Sequence, residues 1–167
     1  GIAHDDEWQY AARAASRWER GSVVVPVGAR EHAYVNPSGF RWLAVAAVGL
    51  VEAWDQGGWP PGAGTRQRYR ADRGRYHLAV RAASAACGVL ACGLWGLAGW
   101  SLAGPRTGLL AAAVLAVAPL HVRNSHFGVN DVALTVAMCG FLWAGVRYRQ
   151  RPGARTAALV GAFVGLA

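Results

Sequence analysis

The chain is 167 residues long, 54% apolar and only 16% charged, with 22 glycines and eight tryptophans; this balance excludes an ordinary soluble domain and matches the membrane class, where glycine and interfacial tryptophan are both enriched. Its net charge of +8 comes from arginine alone, for the sequence contains no lysine. Because those arginines flank apolar runs and build no aromatic-basic surface, nucleic acid is excluded as a partner and a lipid bilayer is implied instead.

At the N-terminus His4, Asp5, Asp6 and Glu7 set three carboxylates in a row ahead of an alanine-rich helical run. A helix start accounts for one of them, since an acid in the first turn is stabilised by free backbone N–H groups and the positive end of the helix dipole. Three exceed that need, and general acid-base chemistry also calls for a carboxylate beside a second acid that tunes it. Residues 5–20 then read as an amphipathic helix lying on the membrane surface, with Arg13, Arg17 and Arg20 toward its end and Trp8, Ala11, Ala15 and Trp18 at helical spacing.

Residues 23–27, interrupted by Pro26, are too short to span, and Glu31, His32, Asn36 and Pro37 mark a polar loop. The run 40–54 is apolar apart from Arg41 and Glu52. At about 15 residues it falls short of the about 20 that a spanning helix needs, so it either crosses the bilayer or lies flat on it. A loop rich in Gly, Pro and Arg, residues 57–76, separates it from the uncharged stretch 82–105, the strongest spanning helix in the chain, with Arg81 at its start.

After the Gly104-Pro105-Arg106 turn comes a second apolar run to residue 122, which Pro119 ends or kinks. A polar island follows, made of His121, Arg123, Asn124, Ser125, His126, Asn130 and Asp131, before a third run to residue 147 and a fourth from residue 154. Cys87, Cys92 and Cys139 sit inside apolar runs without metal-ligand spacing and read as small packing residues. Ser84 with Gly88, and Gly161 with Gly165, have the small-xxx-small spacing of close helix packing. The chain opens on Gly1 and ends within an apolar run at Ala167, so the expectation is a piece of a longer membrane protein.

Arg147, Arg149, Arg151 and Arg155 form the densest basic loop between two spans, which the positive-inside rule places in the cytoplasm. Counting back, His126 and Asp131 reach the outer face, the Pro105-Arg106 turn is cytoplasmic, and Arg81 is again outside. If residues 40–54 lie flat, the acids at 5–7 share the outer face with Asp131. If they span, the acids are on the opposite side, and the cluster Arg66, Arg68, Arg70, Arg73 and Arg75 favours that arrangement.

The strings Ala3-His4-Asp5-Asp6-Glu7-Trp8-Gln9-Tyr10, Asn36-Pro37-Ser38-Gly39-Phe40-Arg41, Arg81-Ala82-Ala83-Ser84, and Ala118-Pro119-Leu120-His121-Val122-Arg123-Asn124-Ser125-His126-Phe127 with Asp131 resemble, in their order and spacing, the first part of a GT-C membrane glycosyltransferase. The match is to the dolichyl-phosphate-mannose protein mannosyltransferase family, glycosyltransferase family 39, and its bacterial relatives. The resemblance implies an all-α fold: a polytopic transmembrane helix bundle whose first outer loop, residues 1–76, carries interfacial helices at about 5–20 and 40–54. Transmembrane helices follow at about 77–103, 106–122, 131–147 and 154–167.

It also implies function. Family members have an Asp-Glu pair in the first outer loop, which falls here on Asp6 and Glu7, with Asp5 where the family often has Pro; the general base is thus Asp6, with Asp5 as the alternative. An Arg at the start of the second helix falls on Arg81, and an acid after the third falls on Asp131. Arg81, His126, Asp131 and Asn36 are then expected to bind substrate, and Asp6 and Asp131 are the candidates to hold a divalent cation, no cofactor being required by the sequence. The implied reaction is inverting transfer of a sugar from a polyprenyl-phosphate donor to an acceptor hydroxyl of unspecified class, on the outer face of a bacterial-type plasma membrane. Two other classes compete. A transporter is expected to carry charged or helix-breaking residues deep within its spans, whereas a non-catalytic membrane scaffold leaves the acids at 5–7 and the His126-Asp131 island without a role.

Overall fold

The computed structural model describes residues 7–20, 38–57 and 64–166, and within them every regular element is a helix. In chain order these are α1 (Glu7–Arg20), α2 (Ser38–Gln56), α3 (Thr65–Ala71), α4 (Arg73–Ala103), α5 (Pro105–Val117), α6 (Pro119–His126), α7 (Asn130–Gln150) and α8 (Ala154–Leu166). Asp5, Asp6 and Asn36 lie outside the described residues, as does the run 23–27; Glu7 opens α1, but its side chain is not among those described. The helices fall into two compact units, Gly1–Ala83 with Phe127–Asn130, and Ser84–His126 with Asp131–Ala167.

In the first unit α1 packs on α2. Tyr10, Ala11, Ala14 and Ala15 are buried on one face of α1, and Phe40, Ala44, Val45 and Val48 recur at helical spacing on α2. Tyr10 meets Phe40 edge to face at 4.9 Å, the geometry that an aromatic quadrupole favours. The Trp18 indole N–H donates to the Val45 carbonyl at 2.9 Å. Gly49 makes room for that ring, since a Cβ there would lie 2.6 Å from Trp18 Cζ2.

One acid ties three helices of this unit together. Glu52, on the buried face of α2, is fully excluded from solvent. Its Oε2 accepts hydrogen bonds from Gln56 Nε2 at 2.7 Å, Thr65 Oγ1 at 3.2 Å and Arg68 Nε at 3.0 Å, and pairs with Arg68 Nη2. Its Oε1 accepts from the Tyr76 hydroxyl. Burial works against the charge on this carboxyl, but the hydrogen bonds from Arg68 and Tyr76, the Arg68 charge and the Thr65 hydroxyl outweigh it and hold Glu52 below the usual carboxylate value. Beside this cluster Arg75 pairs with Asp55.

The segment 57–76, read from sequence as a loop, is therefore partly helical: α3 occupies seven residues of it and α4 starts at Arg73. Thr65 and Tyr69 of α3 and Tyr76 of α4 are buried, so the arginine-rich stretch is organised by the side chains that it turns toward Glu52. Packing of Tyr69 on Tyr76 at 5.5 Å adds to this.

The second unit is built on close backbone approach. A Cβ at Gly108 of α5 would lie 2.7 Å from the Gly96 carbonyl oxygen of α4, and one at Gly99 would lie 3.0 Å from the Thr107 carbonyl oxygen. Gly104, at φ 90°, makes the turn between these helices, and Pro105 opens α5 where its missing N–H costs nothing. Ala91, Leu94 and Cys139 form the buried core, with Trp95, Leu115, Val136, Trp143 and Phe163 packed around it. Gly88 faces Ser125, where an added Cβ would lie 3.0 Å from Ser125 Cβ, whereas Gly161 and Gly165 have open space beside them. Of the two small-residue pairs, only the one containing Gly88 makes a close approach among the described residues.

Among the described residues, by length and composition, α4 alone is a candidate to cross a membrane; α5 and α6, bent by 61° at Ala118, qualify as a second when counted together. The α7 helix, with 21 residues, falls short in mean hydropathy, and the apolar α8 falls short in length at 13 residues. The 31 residues of α4 extend about 46 Å, longer than the ~30 Å hydrocarbon layer of a bilayer. The break at Ala118 has a local cause. Pro119 pushes the residue before it into extended backbone, and Ala118 indeed lies at φ −64°, ψ 119°.

Candidate functional site at the helix break

The polar island of the second unit begins where α5 gives way to α6. Here His121 reaches α4: its Nε2 lies 3.2 Å from the Gly88 carbonyl oxygen and 3.6 Å from Cys92 Sγ. A carbonyl can only accept, which assigns the hydrogen of the neutral ring to Nε2 and leaves Nδ1 as the acceptor. Ser125 Oγ donates to the His121 carbonyl at 2.7 Å, and Gly88 leaves the space that this hydroxyl occupies.

Asp131 stands exposed in the first turn of α7, where the helix dipole favours its charge. Asn124 Nδ2 donates to its Oδ2 at 3.3 Å, and Thr135 Oγ1 donates to its backbone carbonyl at 2.8 Å. The carboxylate keeps most of its acceptor capacity. His126 is turned differently: its Nδ1 lies 2.7 Å from the Val122 carbonyl oxygen on its own helix, so only Nε2 is left to meet a ligand. The structure thus joins Asn124 to Asp131 and gives His126 no hydrogen bond to that carboxylate.

A cavity of about 260 Å³ opens between the break and the start of α7. His121, Asn124 and Thr135 give it polar groups, and Leu115, Leu120 and Val132 give it apolar wall. None of these three polar residues is among the site residues that the sequence leads one to expect. Asn124 and His121 were visible as members of the polar island, whereas Thr135 lies inside an apolar run and has no signal beyond its helical spacing from Asp131.

Arg81 belongs to the first unit. It is half-buried on α4, and its guanidinium lies 5.9 Å from the centroid of the Phe127 ring, a cation–π contact that fixes the orientation of the head group. Among the described residues no three His, Cys, Asp or Glu side chains gather as a metal centre. Of the two acids expected to hold a divalent cation, Asp131 is exposed at the start of α7 and Asp6 falls outside the described residues.

Residues 73–167 match the family model for dolichyl-phosphate-mannose-protein mannosyltransferase. That span contains Arg81, His121, Asn124, His126 and Asp131. No curated protein and no solved structure matches the chain.

Proposed function

The chain belongs to the dolichyl-phosphate-mannose-protein mannosyltransferase family, a glycosyltransferase family of the GT-C type, and on that premise we propose that it works as a multi-pass membrane enzyme. It transfers a sugar from a polyprenyl-phosphate donor to an acceptor hydroxyl on the outer face. The observation that carries this reading is the family match over residues 73–167, more than half of the chain. The exposed apolar side chains of α4 and α5, among them Val89, Leu90, Trp100, Leu109, Leu110 and Val114, support a lipid-facing surface.

In the proposed reaction the acceptor oxygen attacks the anomeric carbon from the side opposite the phosphate. A new carbon–oxygen bond forms, the bond to the phosphate oxygen breaks, and the configuration inverts. Asp6 takes the hydroxyl proton as the bond forms, with Glu7 beside it. Asp5 is the alternative base. Polyprenyl phosphate leaves with the electron pair, and Arg81 offers it a planar, permanently charged partner. Asp131 and His126 orient the sugar, and Asn36 lies on the acceptor side. A divalent cation, if held by Asp6 and Asp131, would neutralise the leaving phosphate.

Membranes containing the protein are expected to move labelled mannose from polyprenyl-phosphate mannose into product and to take none directly from a nucleotide sugar. Transfer from the nucleotide sugar in membranes stripped of polyprenyl phosphate would sink the donor assignment.

The reading also requires Asp6 and Asp131 on one side of the bilayer, so α2 lies flat in the surface layer. Its exposed Trp42, Leu50 and Trp54 suit that position, since tryptophan favours the membrane interface. Cysteines introduced at Gln9 and Asn130 should both react with an impermeant reagent applied outside intact cells. Labelling from opposite sides would remove the shared site.

A further inference from the structure

We propose that the cavity at the α5–α6 break holds the sugar ring of the donor by its hydroxyl groups, and that the phosphate binds elsewhere. This inference rests on the glycosyltransferase reading and adds to it a sugar subsite made by His121, Asn124 and Thr135.

The chemistry of the wall carries it. Nε2 of His121 is committed to the Gly88 carbonyl, so in the neutral ring the remaining nitrogen accepts. Thr135 has spent its hydrogen on the Asp131 carbonyl and offers lone pairs. Asn124 has spent one amide hydrogen on the Asp131 carboxylate, keeping its carbonyl oxygen and one N–H. Three acceptors therefore face one remaining donor.

A phosphate needs donors or cations around it. Among the described residues no arginine lines the cavity, and the Asp131 carboxylate beside Asn124 repels an anion. Sugar hydroxyls supply the hydrogens that these acceptors lack. The apolar wall of Leu115, Leu120 and Val132 suits the C–H face of the same ring. At about 260 Å³ the space lies just under the ~300–1,000 Å³ of sites for larger small molecules, which fits one ring better than a chain.

The test compares two lipids on the complete protein in lipid nanodiscs: polyprenyl-phosphate mannose, and the same polyprenyl phosphate without sugar. Equilibrium binding of each is followed by tryptophan fluorescence. The wild type should bind the sugar-bearing lipid more tightly than the bare one. Thr135→Val and Asn124→Ala should each weaken the sugar-bearing lipid by about 3- to 10-fold, the span of one hydrogen bond, and leave the bare lipid unchanged. Thr135→Ser, which keeps the hydroxyl, should bind like wild type.

Equal losses for both lipids would mean that the residues serve the phosphate or the packing, and would overturn the inference. So would unchanged binding of both lipids, or a wild type that does not distinguish them. Each of these results leaves the donor class standing. A wild type that binds neither lipid would sink the donor assignment and the subsite with it.

Discussion

Asp6→Asn is expected to lower the rate of sugar transfer by about a hundred- to ten-thousand-fold, the range lost when a general base is removed, with expression and membrane insertion at wild-type levels. The amide has the shape of the carboxylate but cannot take the acceptor proton. Because the proton moves only as the new bond forms, the loss should fall on kcat, with the donor KM nearly unchanged. Asp5→Asn should be milder by at least an order of magnitude, since in the proposed reaction it contributes only field. The check is the initial rate of transfer from polyprenyl-phosphate mannose, normalised to protein in the membrane. A dead Asp5→Asn with a nearly normal Asp6→Asn would move the base by one position. Near-normal rates for both would leave Asp5 and Asp6 without a part in the chemistry.

The candidate site is legible in the sequence where its residues are close along the chain. Asn124 and Asp131 lie seven apart in one polar island, and the structure joins them at 3.3 Å. His121 was visible in the same island, but its role depends on Gly88, 33 residues earlier, and no periodicity reports that α6 packs on α4 at that glycine. Pro119 announced a kink from its missing N–H and its effect on the preceding residue. The cavity that the kink opens depends on the distance between α5 and α7, which is a tertiary quantity.

The helices themselves were read well where apolar runs are long. Expected helices at 5–20 and 40–54 correspond to Glu7–Arg20 and Ser38–Gln56, and the strongest run begins in Arg73–Ala103. Composition hides its first turns, because arginine and glycine together read as a loop, although arginine is a good helix former. The remaining spans were expected from flanking arginines and run length. Among the described residues only α4, and α5 with α6 when joined across the bend, have the composition of a span by themselves, since α7 mixes small and polar residues into its apolar run. In sequence Glu52 is a lone acid in an apolar stretch. What it binds could not be read, since Thr65, Arg68 and Tyr76 stand 13, 16 and 24 positions away in what composition describes as a loop.

Glu52→Gln should destabilise the first unit by about 2–3 kcal/mol. Removing one partner of a fully buried ion pair costs about 3–5 kcal/mol, and the cost here is smaller because 38% of the Arg68 side chain remains in water. The glutamine keeps the volume but gives up the charge that Arg68, Tyr76 and Thr65 surround, and its NH2 group turns a donor toward a ring of donors. Thermal unfolding in nanodiscs, followed by the helical circular dichroism signal, should show a clear fall in Tm. Tyr76→Phe removes a single donor and should cost about 1–2 kcal/mol. The pH dependence gives a second readout. Glu52 titrates lower in the folded chain than in the unfolded one, so its contribution is complete above the unfolded carboxylate value, about 4.3, and is lost as pH falls through the lower folded value. Wild-type Tm should therefore be insensitive to this group between pH 5 and 8, on the order of the usual stability plateau, and drop in more acid solution. In Glu52→Gln the difference from wild type should narrow as pH falls, because protonation removes from the wild type the charge that the variant already lacks. A variant as stable as wild type at neutral pH, with an unchanged acid profile, would show that α3 and the head of α4 are held to α2 by the packing of Tyr69 and Tyr76 alone.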